Sequence, residues 1–101
     1  EEKSLDIRKR VENARKIQLK RFENLPIVSN SEMSPDQIKN FCFLDDQCLQ
    51  LLRSAVVSLK LSARGYHRII KIARTIADLS ESENIGPIHV AEAIQYRFKT
   101  E

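Results

Sequence analysis

Residues 61–79 read LSARGYHRIIKIARTIADL, and this stretch decides the fold. Tyr66, Ile69, Ile70, Ala73, Ile76 and Ala77 recur with the period of an α-helix, so one face of the segment is apolar. Ser62 is suited to cap that helix, which is expected to begin just after it. Arg64 then falls in the first turn. A guanidinium held there sets a rigid fork of donors at the helix N-terminus, a natural way to offer positive charge to a phosphate. Arg64, Arg68, Lys71 and Thr75 share the face opposite the apolar stripe. On pattern alone, a solvated basic face with an incidental glycine is the favoured account of them. Gly65 costs helix stability at its position, and close approach of another backbone or a ligand is one physical reason to keep it. His67 borders the basic face, exposed or within reach of a phosphate.

The same periodicity extends in both directions. A first helix is expected from about Leu5 to about Phe22, capped by Ser4, with Ile7, Val11, Ala14 and Ile17 as its apolar stripe. Residues 23–33 form a connector in which Pro26 breaks the helix and Asn30 and Ser31 suit a turn. Ser34, Pro35 and Gln37 spell a capping box for a short second helix, with Ile38, Phe41 and Cys42 inward. Asp45 caps a third helix ending near Leu59, with Cys48, Leu51, Leu52, Ala55, Val56 and Leu59 apolar. After the quoted helix comes a break at 80–87, where Gly86-Pro87 is the stop signal. A last helix starts near Ile88, packs through Val90, Ala91, Ala93 and Ile94, and ends at Tyr96. These elements make an all-α domain of about five helices, with short connections that favour antiparallel neighbours.

Composition limits what such a domain can do. At 101 residues, with 2 Gly, 3 Pro and no Trp, the chain is one small domain of long regular elements. Its net charge of +3 suits nucleotide or nucleic-acid partners without requiring them. Arg8, Lys9, Arg10, Arg15, Lys16, Lys20 and Arg21 crowd the first helix, with Glu12 the acid among them. Of these, Arg8, Arg15 and Lys16 are candidates for contacting DNA phosphates, although no interleaved aromatics support stacking on single strands. A solvated charged face is the favoured account over a dedicated nucleic-acid site.

Cys42 and Cys48 lack a metal-type spacing, and His67 and His89 cannot complete a metal site with them. His89 reads as a packing or hydrogen-bonding residue. Asp45 and Asp46 read as cap and dipole partners, and Asp78 as the i,i+4 ion-pair partner of Arg74. No metal cluster, phosphate loop or nucleophile–base pair is present, so this chain is not expected to be a complete enzyme. No stretch has the length of a membrane span. Reduced cysteines suggest a cytoplasmic setting. A start in charged residues without Met suggests a piece cut from a larger protein.

Beyond these patterns, the residues closely resemble the C-terminal helical domain of magnesium-chelatase-like AAA+ ATPases of the ComM and YifB type. The likeness begins with Ile7-Arg8-Lys9-Arg10-Val11, Ala14-Arg15, Gln18 and Arg21-Phe22. It continues through Asn30, Met33, Phe41-Cys42 and Leu44-Asp45. Its strongest block is Leu61-Ser62-Ala63-Arg64-Gly65-Tyr66-His67-Arg68-Ile69, followed by Lys71 and Ala73-Arg74-Thr75-Ile76-Ala77-Asp78-Leu79. Ile85, His89 and Ala91-Glu92-Ala93-Ile94-Gln95-Tyr96-Arg97 close it. Family members often continue with a Ser-Leu-Asp run, where this chain has Phe98-Lys99-Thr100-Glu101.

The resemblance implies a helical lid that follows an ATPase core and whose sensor-2 arginine, matching Arg64, reaches the terminal phosphate of ATP. Arg68, Lys71 and His67 would face the nucleotide phosphates or a neighbouring subunit. ATP and Mg2+ would serve the full-length parent, held mainly by an upstream AAA+ core. The parent would form a homo-oligomeric ring, expected to be a hexamer, acting on branched DNA as a branch-migration motor. One alternative keeps the lid but places it in a metal-chelatase motor. Another is a stand-alone basic helical module that binds DNA without ATP.

Overall fold

The computed structural model describes residues 3–100, with side chains as far as residue 97. Five helices follow one another: α1 (Ser4–Arg21), α2 (Pro35–Phe41), α3 (Asp46–Leu59), α4 (Ala63–Leu79) and α5 (Pro87–Thr100). A single 3₁₀ turn, Asn30–Glu32, lies between α1 and α2. No strand occurs among the described residues, and the all-α class expected from periodicity is what forms.

Three of the caps form as the residues dictate. The Ser34 hydroxyl accepts from the Gln37 amide while the Gln37 side chain accepts from the Ser34 amide, closing the capping box of α2. Asp45 accepts from the Cys48 amide at the start of α3, and Ser62 accepts from the Gly65 amide at the start of α4. Ser4 does not cap α1. It lies inside the helix, whose N-cap is Lys3 without a side-chain bond.

The helix α4 is the hub. It packs most extensively on α5 and also meets α1, α2 and the 3₁₀ turn, while α3 packs on α5. Its inward Ile69, Ile70, Ala73 and Ala77 join Cys48 and Leu52 of α3, Val90 and Ala93 of α5, Ile38, Met33 and Phe22 in one core. Each large apolar side chain buried there contributes about 1.5–3 kcal/mol. Ala91 and Leu51, expected to pack, are exposed instead. The last helix starts at Pro87 and runs past Tyr96, because proline is well suited to a first helical position.

The first helix departs most from its expected stripe. Ile7 is 45% exposed, and Val11 and Ile17 are exposed as well. Only Ala14 and Gln18 of α1 are buried. The reason lies in where α1 touches the body. Its bonds to α4 come from Arg21, at its end, and reach Asp78. Just beyond it, Phe22 packs edge-on against Phe41 with centroids 5.3 Å apart.

Candidate functional site

The five α4 residues singled out by sequence do not share one environment. Arg64 and Arg68 are exposed, whereas His67, Lys71 and Thr75 are half-buried. The 3₁₀ turn covers the lower part of this face. Lys71 Nζ donates to the Ser31 carbonyl at 3.1 Å, and the Thr75 hydroxyl accepts from Asn30 Nδ2 at 3.1 Å. The continuous solvated stripe expected from spacing is therefore confined to the first two turns.

At that exposed end, Arg64 follows the Ser62 cap. The Ser62 hydroxyl and carbonyl take the amides of Gly65 and Tyr66, leaving those of Ala63 and Arg64 as open donors at the helix start. Arg64 itself makes no hydrogen bond or ion pair with another described residue, so an exposed guanidinium stands beside open backbone donors. The arrangement can receive an anionic oxygen. Gly65 contributes no steric necessity from within the chain. A Cβ there would meet the Leu61 side chain and the Ser62 hydroxyl at 3.5 Å, an ordinary contact. His67 packs edge-on to Tyr66 at 5.6 Å.

The candidate DNA residues of α1 do not form one patch. Arg8, Arg15 and Lys16 are all exposed. Lys16, however, lines a cleft with Asn13, Ile17, Arg21, Arg74 and Asp78, whereas Arg15 lines a different, more apolar one with Val11, Leu19 and Val28. They look out from different flanks of the helix. His89 is a hydrogen-bonding residue as expected: its Nδ1 accepts from the Gly86 amide at 2.9 Å, which fastens the start of α5.

The most organised polar cluster was not legible in the sequence. Asp78, 1% exposed, receives both guanidinium nitrogens of Arg21 at 2.8 Å. It also receives Arg74 at 3.2 Å and Asn30 Nδ2 at 2.9 Å. Asn30 Oδ1 accepts from Arg21 at 2.8 Å, and the Asn30 amide donates to Gln18 Oε1 at 3.0 Å. The expected Arg74–Asp78 pair thus exists, but as a buried part of a larger network and not as a surface bridge. Arg74 also donates to the carbonyls of Ser82 and Glu83, tying down the loop after α4. Burial lowers its pKa, and the nearby Asp78 carboxylate works against that shift. Asn30, read as a turn residue, is the buried hinge of this network. Periodicity carries no signal for it, because its partners come from α1 and α4.

This arrangement gives α4 two ends of different character. One is locked to α1 by a buried ion pair and to the loop after α4 by hydrogen bonds from Arg74, and the other presents Arg64 to the outside. No group of three or more His, Cys, Asp or Glu side chains among the described residues could hold a metal ion. No helix among them is long and apolar enough to cross a membrane.

Known proteins are similar to the chain along nearly its whole length. The family model described as magnesium chelatase, subunit ChlI C-terminal, matches residues 1–97. Competence protein ComM of Haemophilus influenzae is 40% identical over 96 residues, covering 95% of this chain and 18% of that protein. The YifB proteins of Escherichia coli and Salmonella typhimurium are 36% and 34% identical over the same length. The chain spans 18% of the length of each of these curated relatives. With the fold, the capped Arg64 helix and a match across nearly all its residues, the chain belongs to the magnesium chelatase ChlI C-terminal family.

Proposed function

We propose that this domain is the C-terminal helical lid of a magnesium-chelatase-like AAA+ ATPase, and that Arg64 acts as its sensor-2 arginine. The observation that carries the reading is the position of Arg64. It is exposed, unpaired with any described residue, and set in the first turn of the best-anchored helix beside two open amides. Those groups fit a phosphate, and a bound nucleotide would supply the scissile phosphoanhydride. Arg64 would neutralise charge that grows on the phosphoryl oxygens. The Arg21–Asp78 lock on the same helix would pass lid motion to α1 as a rigid body. In this reading the magnesium ligands would come from the upstream core.

The parent we infer is a cytoplasmic ring, a hexamer, in which this domain packs beside its ATPase core and the motor acts on branched DNA. The likeness to competence protein ComM is consistent with a role in competence, for which a DNA motor is our first reading. The family description favours a chelatase motor as the second reading.

Steady-state ATP hydrolysis by the full-length protein, wild type against Arg64→Ala, tests the proposal with and without branched DNA. Loss of turnover with the ring intact supports the sensor role, and unchanged turnover sinks it. Stimulation of the wild type by DNA separates the DNA motor from the chelatase.

A further inference from the structure

Between α1 and the C-terminal half of α4 lies a cleft of about 520 Å³, lined by Val11, Ala14 and Leu19 of α1, Val28 of the connector and Leu79 of α4. That is the size of a small-ligand site, room for a few apolar side chains. Val28 is 61% exposed and Leu19 55%. The polar groups along the cleft are engaged already. The Ser29 hydroxyl pairs with Ser31 and Glu32, the Thr75 hydroxyl with the Lys71 carbonyl and Asn30, and Gln18 Oε1 with the Asn30 amide. What the cleft still offers is apolar surface and a rim of positive charge. Arg15 lines it, and Arg8 stands two turns earlier on the same side of α1. Both are exposed and bond to no described residue. The whole of α1 carries seven basic residues against two acidic ones. Glu32, at the Val28 wall, holds its carboxylate on the Val28 amide and the Ser29 hydroxyl.

Apolar walls beside one cationic rim select among occupants. Nucleic acid would use the cations and leave the walls wet. A second copy offering the same face would set basic rims against each other. A lipid surface has no ridge to enter a recess. The apolar ridge of a helix with acidic flanks satisfies both the recess and the charge. We propose that this cleft docks an amphipathic helix of a separate protein, its apolar residues one turn apart in the recess and its Asp or Glu residues along the Arg8–Arg15 rim. Leu79 lies 15 residues along α4 from Arg64, about 22 Å by helix rise, so a core seated at the Arg64 end leaves the cleft open. The choice of a separate protein rests on that reading of Arg64; the acidic-helix chemistry does not.

The probe is a fluorescein-labelled synthetic helix of about fifteen residues, with leucines at i, i+4 and i+7 and glutamates beside them. Anisotropy reads its binding to the full-length protein, and NMR of the ¹⁵N-labelled chain maps the contact. Saturable binding is expected, with shifts at Val11, Arg15, Leu19 and Val28. Val28→Asp should weaken it about tenfold or more, and Arg15→Glu about threefold or more, most strongly at low salt. Both side chains are exposed, so urea unfolding should show each variant as stable as the wild type. Equal affinity for a peptide with lysine in place of glutamate would overturn the proposal, as would absence of saturable binding. Binding to the 101-residue chain but not to the full-length protein would mean that the parent covers the cleft itself, and would overturn the separate partner. Displacement of the peptide by duplex DNA, or self-association of the chain that Val28→Asp abolishes, would assign the cleft to those occupants instead. Arg64→Ala should bind the peptide as the wild type does, so ATP turnover and anisotropy report the two sites separately.

Discussion

Arg21 and Asp78, 57 residues apart in sequence, meet fork to fork with both nitrogen–oxygen distances at 2.8 Å. The carboxylate is buried and the guanidinium nearly so, with side chains 1% and 12% exposed. This pair joins the end of α1 to the C-terminal half of α4. Two guanidinium groups, from Arg21 and Arg74, converge on the one carboxylate.

Removing that carboxylate leaves two cations buried without compensation. Asp78→Asn should therefore destabilise the fold by about 3–5 kcal/mol in urea unfolding. A double-mutant cycle of Arg21→Met with Asp78→Asn should return a coupling energy above about 1 kcal/mol. Near-additive losses would show that α1 is held mainly by other contacts.

Arg64 and Arg74 lie on the same helix and should separate cleanly by readout. Arg64→Ala touches no described partner and should shift stability by less than about 0.5 kcal/mol. Arg74→Ala strips Asp78 and the carbonyls of Ser82 and Glu83 of a donor, and should cost about 3 kcal/mol or more. Equal losses from the two substitutions, measured by the same urea titration, would contradict this division.

The cap of α3 gives stability a pH dependence of known sign. The Cys48 backbone amide, donating to Asp45, holds that carboxyl below its ordinary 3.8. Folding therefore favours the ionised form. The contribution is complete above the unfolded value and is lost as pH falls through the lower folded one. Asp45→Asn keeps a capping side chain without a titrating group, so its stability should fall less steeply than that of the wild type from about pH 4 to pH 2. Parallel curves would refute the linkage.

Burial pushes both thiols up to about 11, with Arg74 and Arg21 partly opposing the shift at Cys42 and Asp45 adding to it at Cys48. From an ordinary value of 9.0, that leaves roughly a hundredfold less thiolate at pH 8. Iodoacetamide should modify the folded chain slowly and the urea-unfolded chain fast, as followed by mass spectrometry. Prompt labelling of the folded protein would mean that the α2–α3 segment opens readily.

Local signals settled most of the helices before any coordinate. The Ser34–Gln37 box, the Asp45 and Ser62 caps and the apolar period of 66–77 act within a turn or two of their own residues, so sequence order alone exposes them. Arg64 was legible for the same reason, since its place depends only on where α4 begins. The sequence misjudged α1, whose period is helical but whose Ile7, Val11 and Ile17 stay exposed while only Ala14 of the expected stripe is buried. It also read Asn30 only as a turn residue, and Asp78 only as far as its neighbour four residues away. Their roles depend on contacts between α1, the 3₁₀ turn and α4, segments brought together by tertiary packing. A buried charge is tolerable only where its counter-charges converge on it in space, and no one-dimensional pattern records that convergence.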